Sequence, residues 1–171
     1  MRVALIGHSQ VFPIDDYDDV EFITVRVSGA LIQNAYGGDI RECIETEPDA
    51  IFVWLGGNDL RHHSAGNTVN QLMELVGFLE TFTNNIYLLS VEYRLYPTAT
   101  ETERYLARAK AVNRSLTRLA GGTGRFRTIN IGSEVMAADS PDDIHFGPNG
   151  QQWTLNKIQT AIAHAIADGR L

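Results

Sequence analysis

A single cysteine, Cys43, stands in a chain of 171 residues. No internal disulfide can form, so a disulfide framework is excluded and a reducing compartment is permitted. Without a second cysteine there is no Cys-x-x-Cys pair, which argues against a structural zinc site. Long hydrophobic runs are missing too. The opening Val3-Ala4-Leu5-Ile6 stops at Gly7, too short for the apolar stretch of a signal peptide. Nothing approaches the roughly 18 apolar residues of a membrane span. Positive charge is scarce: 14 Lys+Arg face 21 Asp+Glu, a formal net charge of -7. So acidic a chain is poorly suited to neutralising a phosphate backbone or docking on anionic lipid. The expectation is a cytoplasmic chain, or a domain of a longer protein, with no membrane insertion and no direct nucleic-acid binding.

What is present is an ordinary globular composition, 44% hydrophobic and 20% charged, which rules out a disordered chain. The length is that of one domain, 1–171, able to bury a core. No repeat, low-complexity tract or linker divides it. The Gly121-Gly122-Thr123-Gly124 stretch reads as a helix-ending loop.

Five short apolar runs are rich in branched and aromatic residues: Val3 to Ile6, Val20 to Val25, Ala50 to Leu55, Ile86 to Leu89 and Phe126 to Ile131. Runs such as Ile51-Phe52-Val53-Trp54-Leu55 do not alternate, which suits strands covered on both faces. Between them lie stretches with helical spacing. Val69, Leu72, Met73, Val76 and Leu79 share one face; Leu106, Ala109, Val112, Leu116 and Leu119 share another; Leu155, Ile158, Ile162, Ala165 and Ile166 a third. A shorter helix is expected over Asp39 to Thr46, stopping before Pro48. This alternation predicts a three-layer α/β/α fold: a doubly wound, five-stranded parallel sheet of flavodoxin-like order 2-1-3-4-5. Ligands of such sheets sit beyond the carboxyl ends of the strands.

Those ends carry the informative residues. Gly7-His8-Ser9 follows the first strand, Ser28-Gly29-Ala30 the second, and Gly56-Gly57-Asn58-Asp59-Leu60 the third. Asp142-Asp143-Ile144-His145-Phe146 lies before the last helix. Four segments thus bring a serine, a glycine, an asparagine and an Asp/His pair to one sheet edge, the parts needed for acyl transfer. Asp143 rivals Asp142 as the acid, and Gly37 and Gly38 rival Gly29.

In these four blocks the chain resembles the GDSL/SGNH-type serine hydrolases, from Gly7 to Gly150. Ser9 matches the family's first block, Gly29 the second, Asn58 in Gly-Gly-Asn-Asp the third, and His145 in Asp142-x-x-His145 the fourth. The first block departs from the usual Gly-Asp-Ser, since His8 stands in the second place. The resemblance implies a catalytic triad of Ser9, His145 and Asp142. Oxyanion donors would be the backbone N–H groups of Ser9 and Gly29 and the Asn58 amide. A serine hydroxyl is a weak nucleophile until a base removes its proton, and an imidazole titrates near neutrality. If Ser9 opens a short helix, that helix's N–H groups add to the same field.

The chemistry calls for no cofactor and no metal; its partner is a small-molecule acyl ester. Short connections at the strand ends leave no room for a deep lid, which predicts an open site for short acyl groups, acetyl first among them. Lysophospholipid-type and thioester substrates and a non-catalytic binding module on the same fold are the alternatives. A nucleotide-binding protein is disfavoured, because Gly7-His8-Ser9-Gln10-Val11-Phe12-Pro13 has no phosphate-cradling glycine pattern. His8 is expected to brace its loop. His8, His62 and Arg94 are further candidates for substrate contact. The acidic run Asp15-Asp16-Tyr17-Asp18-Asp19 reads as a solvated face, without the spaced ligands of a calcium loop.

Overall fold

The computed structural model describes residues 1–131, 142 and 144–171. Five parallel strands, β1 (Arg2–Gly7), β2 (Glu21–Arg26), β3 (Ala50–Trp54), β4 (Ile86–Leu89) and β5 (Arg127–Ile129), form one sheet in the order β2-β1-β3-β4-β5. The doubly wound α/β expectation is borne out. Four α-helices lie among the described residues: α1 (Gly38–Ile44), α2 (Ala65–Leu79), α3 (Ala99–Thr123) and α4 (Pro148–Ala167).

The sheet separates two cores. On one face, Ala4, Ile6, Ile51, Val53, Ile86 and Leu88 pack against Ile40 of α1, Leu72, Leu75 and Val76 of α2, and Val112 and Leu116 of α3. On the other, Val3, Leu5, Phe52, Trp54, Tyr87 and Leu89 meet Ile158 and Ile162 of α4. Every residue of β3 and β4 is buried, which explains their unbroken apolar runs. Each such side chain contributes about 1.5–3 kcal/mol by leaving water.

The structure departs from expectation in two places, and the conditional helix at Ser9 is not formed. Residues 8–20 instead run as a turn and an irregular segment whose Val11, Phe12, Ile14 and Val20 cover the second core. Pro13 lies in mid-segment, where it would break a helix. Strand β5 is shorter than the apolar run Phe126 to Ile131 that predicts it. Ile166, placed on the apolar face of the last helix, is 50% exposed.

Backbone bonds carry the strand pairing past the strand ends and so fix the loops there. Val27 N–H donates to the Gly7 carbonyl at 2.9 Å, and His8 N–H to the Trp54 carbonyl at 3.2 Å. The first three loops are thereby tied together at the carboxyl edge. Gly7 makes this possible, because a Cβ there would lie 2.2 Å from the Trp54 carbonyl oxygen.

Candidate active site

Ser9 occupies the turn after β1, closed by the bond from Val11 N–H to the His8 carbonyl at 3.0 Å. It opens no helix. Ser9 Oγ is 2.8 Å from His145 Nε2, and His145 Nδ1 is 2.6 Å from Asp142 Oδ2. Residues separated by 136 positions in sequence thus form one unbroken hydrogen-bonded chain.

Asp142 also organises its own loop. Its Oδ1 accepts the His145 N–H at 2.7 Å and the Ile144 N–H at 3.0 Å. One carboxylate therefore holds the ring and the backbone of the histidine together. The bond from the His145 ring, aided by the His145 N–H, lowers the Asp142 carboxyl to about 2. The pair is open to solvent, with 37% of the His145 side chain and 50% of that of Asp142 exposed. Its rival Asp143 lies outside the described residues.

The second and third loops meet at Asn58, whose Nδ2 donates to the Ala30 carbonyl at 2.9 Å. Next to it, the buried Asp59 carboxylate accepts the Ile32 N–H at 3.2 Å, and burial raises its affinity for a proton. Gly29 is exposed at φ +73°, the left-handed region where glycine is free of the Cβ penalty. No atom lies within 4 Å of where its Cβ would sit, so conformation rather than crowding calls for glycine. Of its competitors, Gly37 is extended and Gly38 opens α1.

His62 is exposed at the rim of the third loop. His8 and Arg94 lie elsewhere than a substrate-contact role requires. His8 is fully buried, with Nδ1 accepting the Gln10 N–H at 3.3 Å and Nε2 lying 3.4 Å from Glu92 Oε2. Arg94 is 4% exposed, and its guanidinium is engaged by Glu92 and by Asn58 Oδ1. Their burial follows from the mutual neutralisation of Glu92 and Arg94 under the loops. Burial alone would raise the Glu92 carboxyl, but the Arg94 guanidinium and the hydrogen bonds from its neighbours overcome this and hold it well below the usual range.

Two contributors went unnoticed in the sequence. Gln10, 3% exposed, donates from Nε2 to the Ile144 carbonyl at 2.5 Å and accepts the Phe146 N–H on Oε1 at 3.0 Å. Glu92, 1% exposed, links His8, Arg94 and the indole N–H of Trp54, which reaches its Oε2 at 3.3 Å. A glutamine after a candidate nucleophile carries no motif. A Glu-x-Arg pair beyond a strand reads as surface charge.

No family model matches the chain, and no curated protein matches it by sequence. Solved structures do. A GDSL-like lipase from Bacteroides thetaiotaomicron superposes with a TM-score of 0.77 at 14% identity, over 96% of this chain and 88% of that one. An α/β hydrolase from the metagenome of Lake Arreo gives 0.69 at 16% identity, over 94% of each chain. A catalytic mutant of an acetylxylan esterase from Geobacillus stearothermophilus gives 0.69 at 12% identity, over 94% of this chain and 93% of that one. The chain therefore shares its fold, over nearly its whole length, with a GDSL-like lipase and an acetylxylan esterase.

Proposed function

We propose that the protein is a serine ester hydrolase of the GDSL/SGNH type, acting on small acyl esters through an acyl-enzyme. The contact of 2.8 Å between Ser9 Oγ and His145 Nε2, continued to Asp142 at 2.6 Å, carries this reading. These distances are hydrogen-bonding distances, and an activated nucleophile needs its base within that reach.

In the proposed reaction His145 Nε2 takes the Ser9 proton as Oγ attacks the ester carbonyl. The carbonyl π electrons move to oxygen, and the tetrahedral adduct carries an oxyanion. Ser9 N–H, Gly29 N–H and Asn58 Nδ2–H are the donors for it; one such donor is worth about 3–4 kcal/mol in related chemistry. The adduct collapses as the ester C–O bond breaks and His145 returns its proton to the leaving alkoxide. A water then attacks the acyl-Ser9 by the same route and releases the acid. Asp142, ionised throughout, holds the Nδ1–H of the imidazole and stabilises the imidazolium.

The preference for acetyl rests on two supports. Among the described residues the Asp142 carboxylate and His145 imidazole are partly open to solvent, which suits a site for a short acyl group. Several of the structures with this fold are acetylxylan esterases. The test is turnover of p-nitrophenyl acetate and labelling by a fluorophosphonate, with Ser9→Ala beside the wild type. Turnover and labelling in the wild type alone are expected. Equal signals from both proteins would remove Ser9 as nucleophile, and an inert wild type would favour a binding module.

A further inference from the structure

We propose that Arg94 is a positioning residue for the Asn58 oxyanion donor, held in place by Glu92. The inference rests on the esterase reading above and assigns Arg94 and Glu92 a part in it that involves no contact with substrate.

The Asn58 amide can sit in either of two flipped orientations, and its neighbours choose one. Arg94 Nη1 donates to Asn58 Oδ1 at 2.8 Å, while Asn58 Nδ2 donates to the Ala30 carbonyl at 2.9 Å. A flip would set NH2 against the guanidinium and oxygen against a carbonyl, replacing two attractions by two repulsions. With both partners in place, one Nδ2–H is left over for an oxyanion. A preorganised donor contributes in the transition state because it need not reorient.

Arg94 is fixed in turn. Its Nε donates to Glu92 Oε1 at 2.7 Å, and its Nη2 closes a second bond to the same oxygen. Glu92 Oε2 faces Trp54 Nε1 at 3.3 Å and His8 Nε2 at 3.4 Å. The Tyr105 hydroxyl donates to the Glu92 carbonyl at 3.1 Å. The pair lies directly under the Gly56-Gly57-Asn58 turn. A Cβ on Gly57 would come within 2.4 Å of Glu92 Oε1 and 2.7 Å of Arg94 Nη2. The buried pair therefore touches the first loop through His8 and the third through Gly57 and Asn58.

Charge alone does not explain this arrangement. A buried ion pair is often no more stable than an apolar pair of similar volume. A lysine would neutralise Glu92, but its single ammonium cannot reach two acceptors in the fixed fork that a guanidinium offers. The planar fork is the property in use.

The test is a double-mutant cycle of Arg94→Lys and Asn58→Ala on p-nitrophenyl acetate, with folding followed by circular dichroism. Arg94→Lys is expected to lower kcat about tenfold with KM nearly unchanged, and to cost nothing further in the Asn58→Ala background. Multiplying losses would overturn the proposal. If Arg94→Lys does not fold, Glu92→Gln/Arg94→Met, which removes both charges together, takes its place in the same cycle with the same expectation. The 15N–1H signals of the Asn58 side-chain amide, assigned by their loss in Asn58→Ala, give a second readout that needs no turnover. They are expected to shift and exchange faster with solvent in whichever variant is used, and an unchanged amide would overturn the proposal. A wild type without esterase activity would defeat the esterase reading, while the amide signals would still judge the clamp.

Discussion

The side chain of Gln10 is bonded to the backbone on both sides of His145. One residue beyond the proposed nucleophile, its amide spans the Ile144 carbonyl and the Phe146 N–H as a strand neighbour would. The turn that carries Ser9 thus also holds His145 against it.

Gln10→Ala is expected to lower kcat/KM by about tenfold or more, since small misplacements of a catalytic group are costly. It should also destabilise the fold by about 1–3 kcal/mol, because a buried carbonyl and N–H lose their partner. Gln10→Glu keeps the acceptor for Phe146 N–H but sets a buried carboxylate oxygen against the Ile144 carbonyl, so it should cost at least as much as Gln10→Ala. Steady-state kinetics and thermal melting on the three proteins check the order.

Asp142 sets the expected pH behaviour. Its carboxyl is lowered to about 2, so it is ionised across the working range. A depressed carboxyl adds stability that is full above the ordinary aspartate value of about 4 and is lost as pH falls through about 2. Above pH 4, kcat/KM should therefore rise with a one-proton slope that belongs to an imidazole, then level off. A two-proton slope in that range would place the titration of Asp142 within it and contradict the geometry.

Asp142→Asn should leave the fold nearly intact, as the group is half exposed. It should lower kcat on the order of a thousandfold or more by favouring the wrong imidazole tautomer. Circular dichroism beside p-nitrophenyl acetate kinetics separates the two effects, and an unchanged kcat would exclude Asp142 from the relay.

Gly7→Ala is expected to be among the most damaging single-methyl changes in the chain. The added carbon would sit 2.2 Å from the Trp54 carbonyl oxygen, an atom of backbone that cannot rotate away. Strands β1 and β3 must part, and the His8 bond to that carbonyl goes with them. A loss of several kcal/mol, or failure to express folded protein, is the expected result. A melting temperature equal to that of the wild type would contradict the packing described.

The sheet was legible because its signal is local. Unbroken apolar runs such as Ile51 to Leu55 mark covered strands, and helical spacing between them leaves few topologies. The four loops were legible because their residue types are rare in combination. The helix-free β1–β2 connection was half legible, for no helical spacing marks it and Pro13 lies within it. What sequence could not show is pairing at a distance. Gln10 and Phe146 stand 136 positions apart, and Glu92 meets Trp54 across 38. Arg94 reads as a rim cation until the carboxylate beneath the loops is seen to hold it. A pair of charges reveals its burial only when its surroundings are known.

The helix-free crossover after β1 bears on how damage would spread through the pocket. A nucleophile seated at a helix terminus shares a diffuse field from many aligned peptides, and losing any one of them changes little. Here Ser9 opens no helix, so in the proposed reaction an oxyanion would rest on a few discrete donors, of which the Asn58 amide is tethered by Arg94 and the Ala30 carbonyl. Such a pocket tolerates change poorly at those tethers and generously elsewhere on its rim. Under the proposed function, laboratory evolution of new ester preferences would therefore find its freedom in exposed positions such as His62, and very little of it in the polar residues underneath.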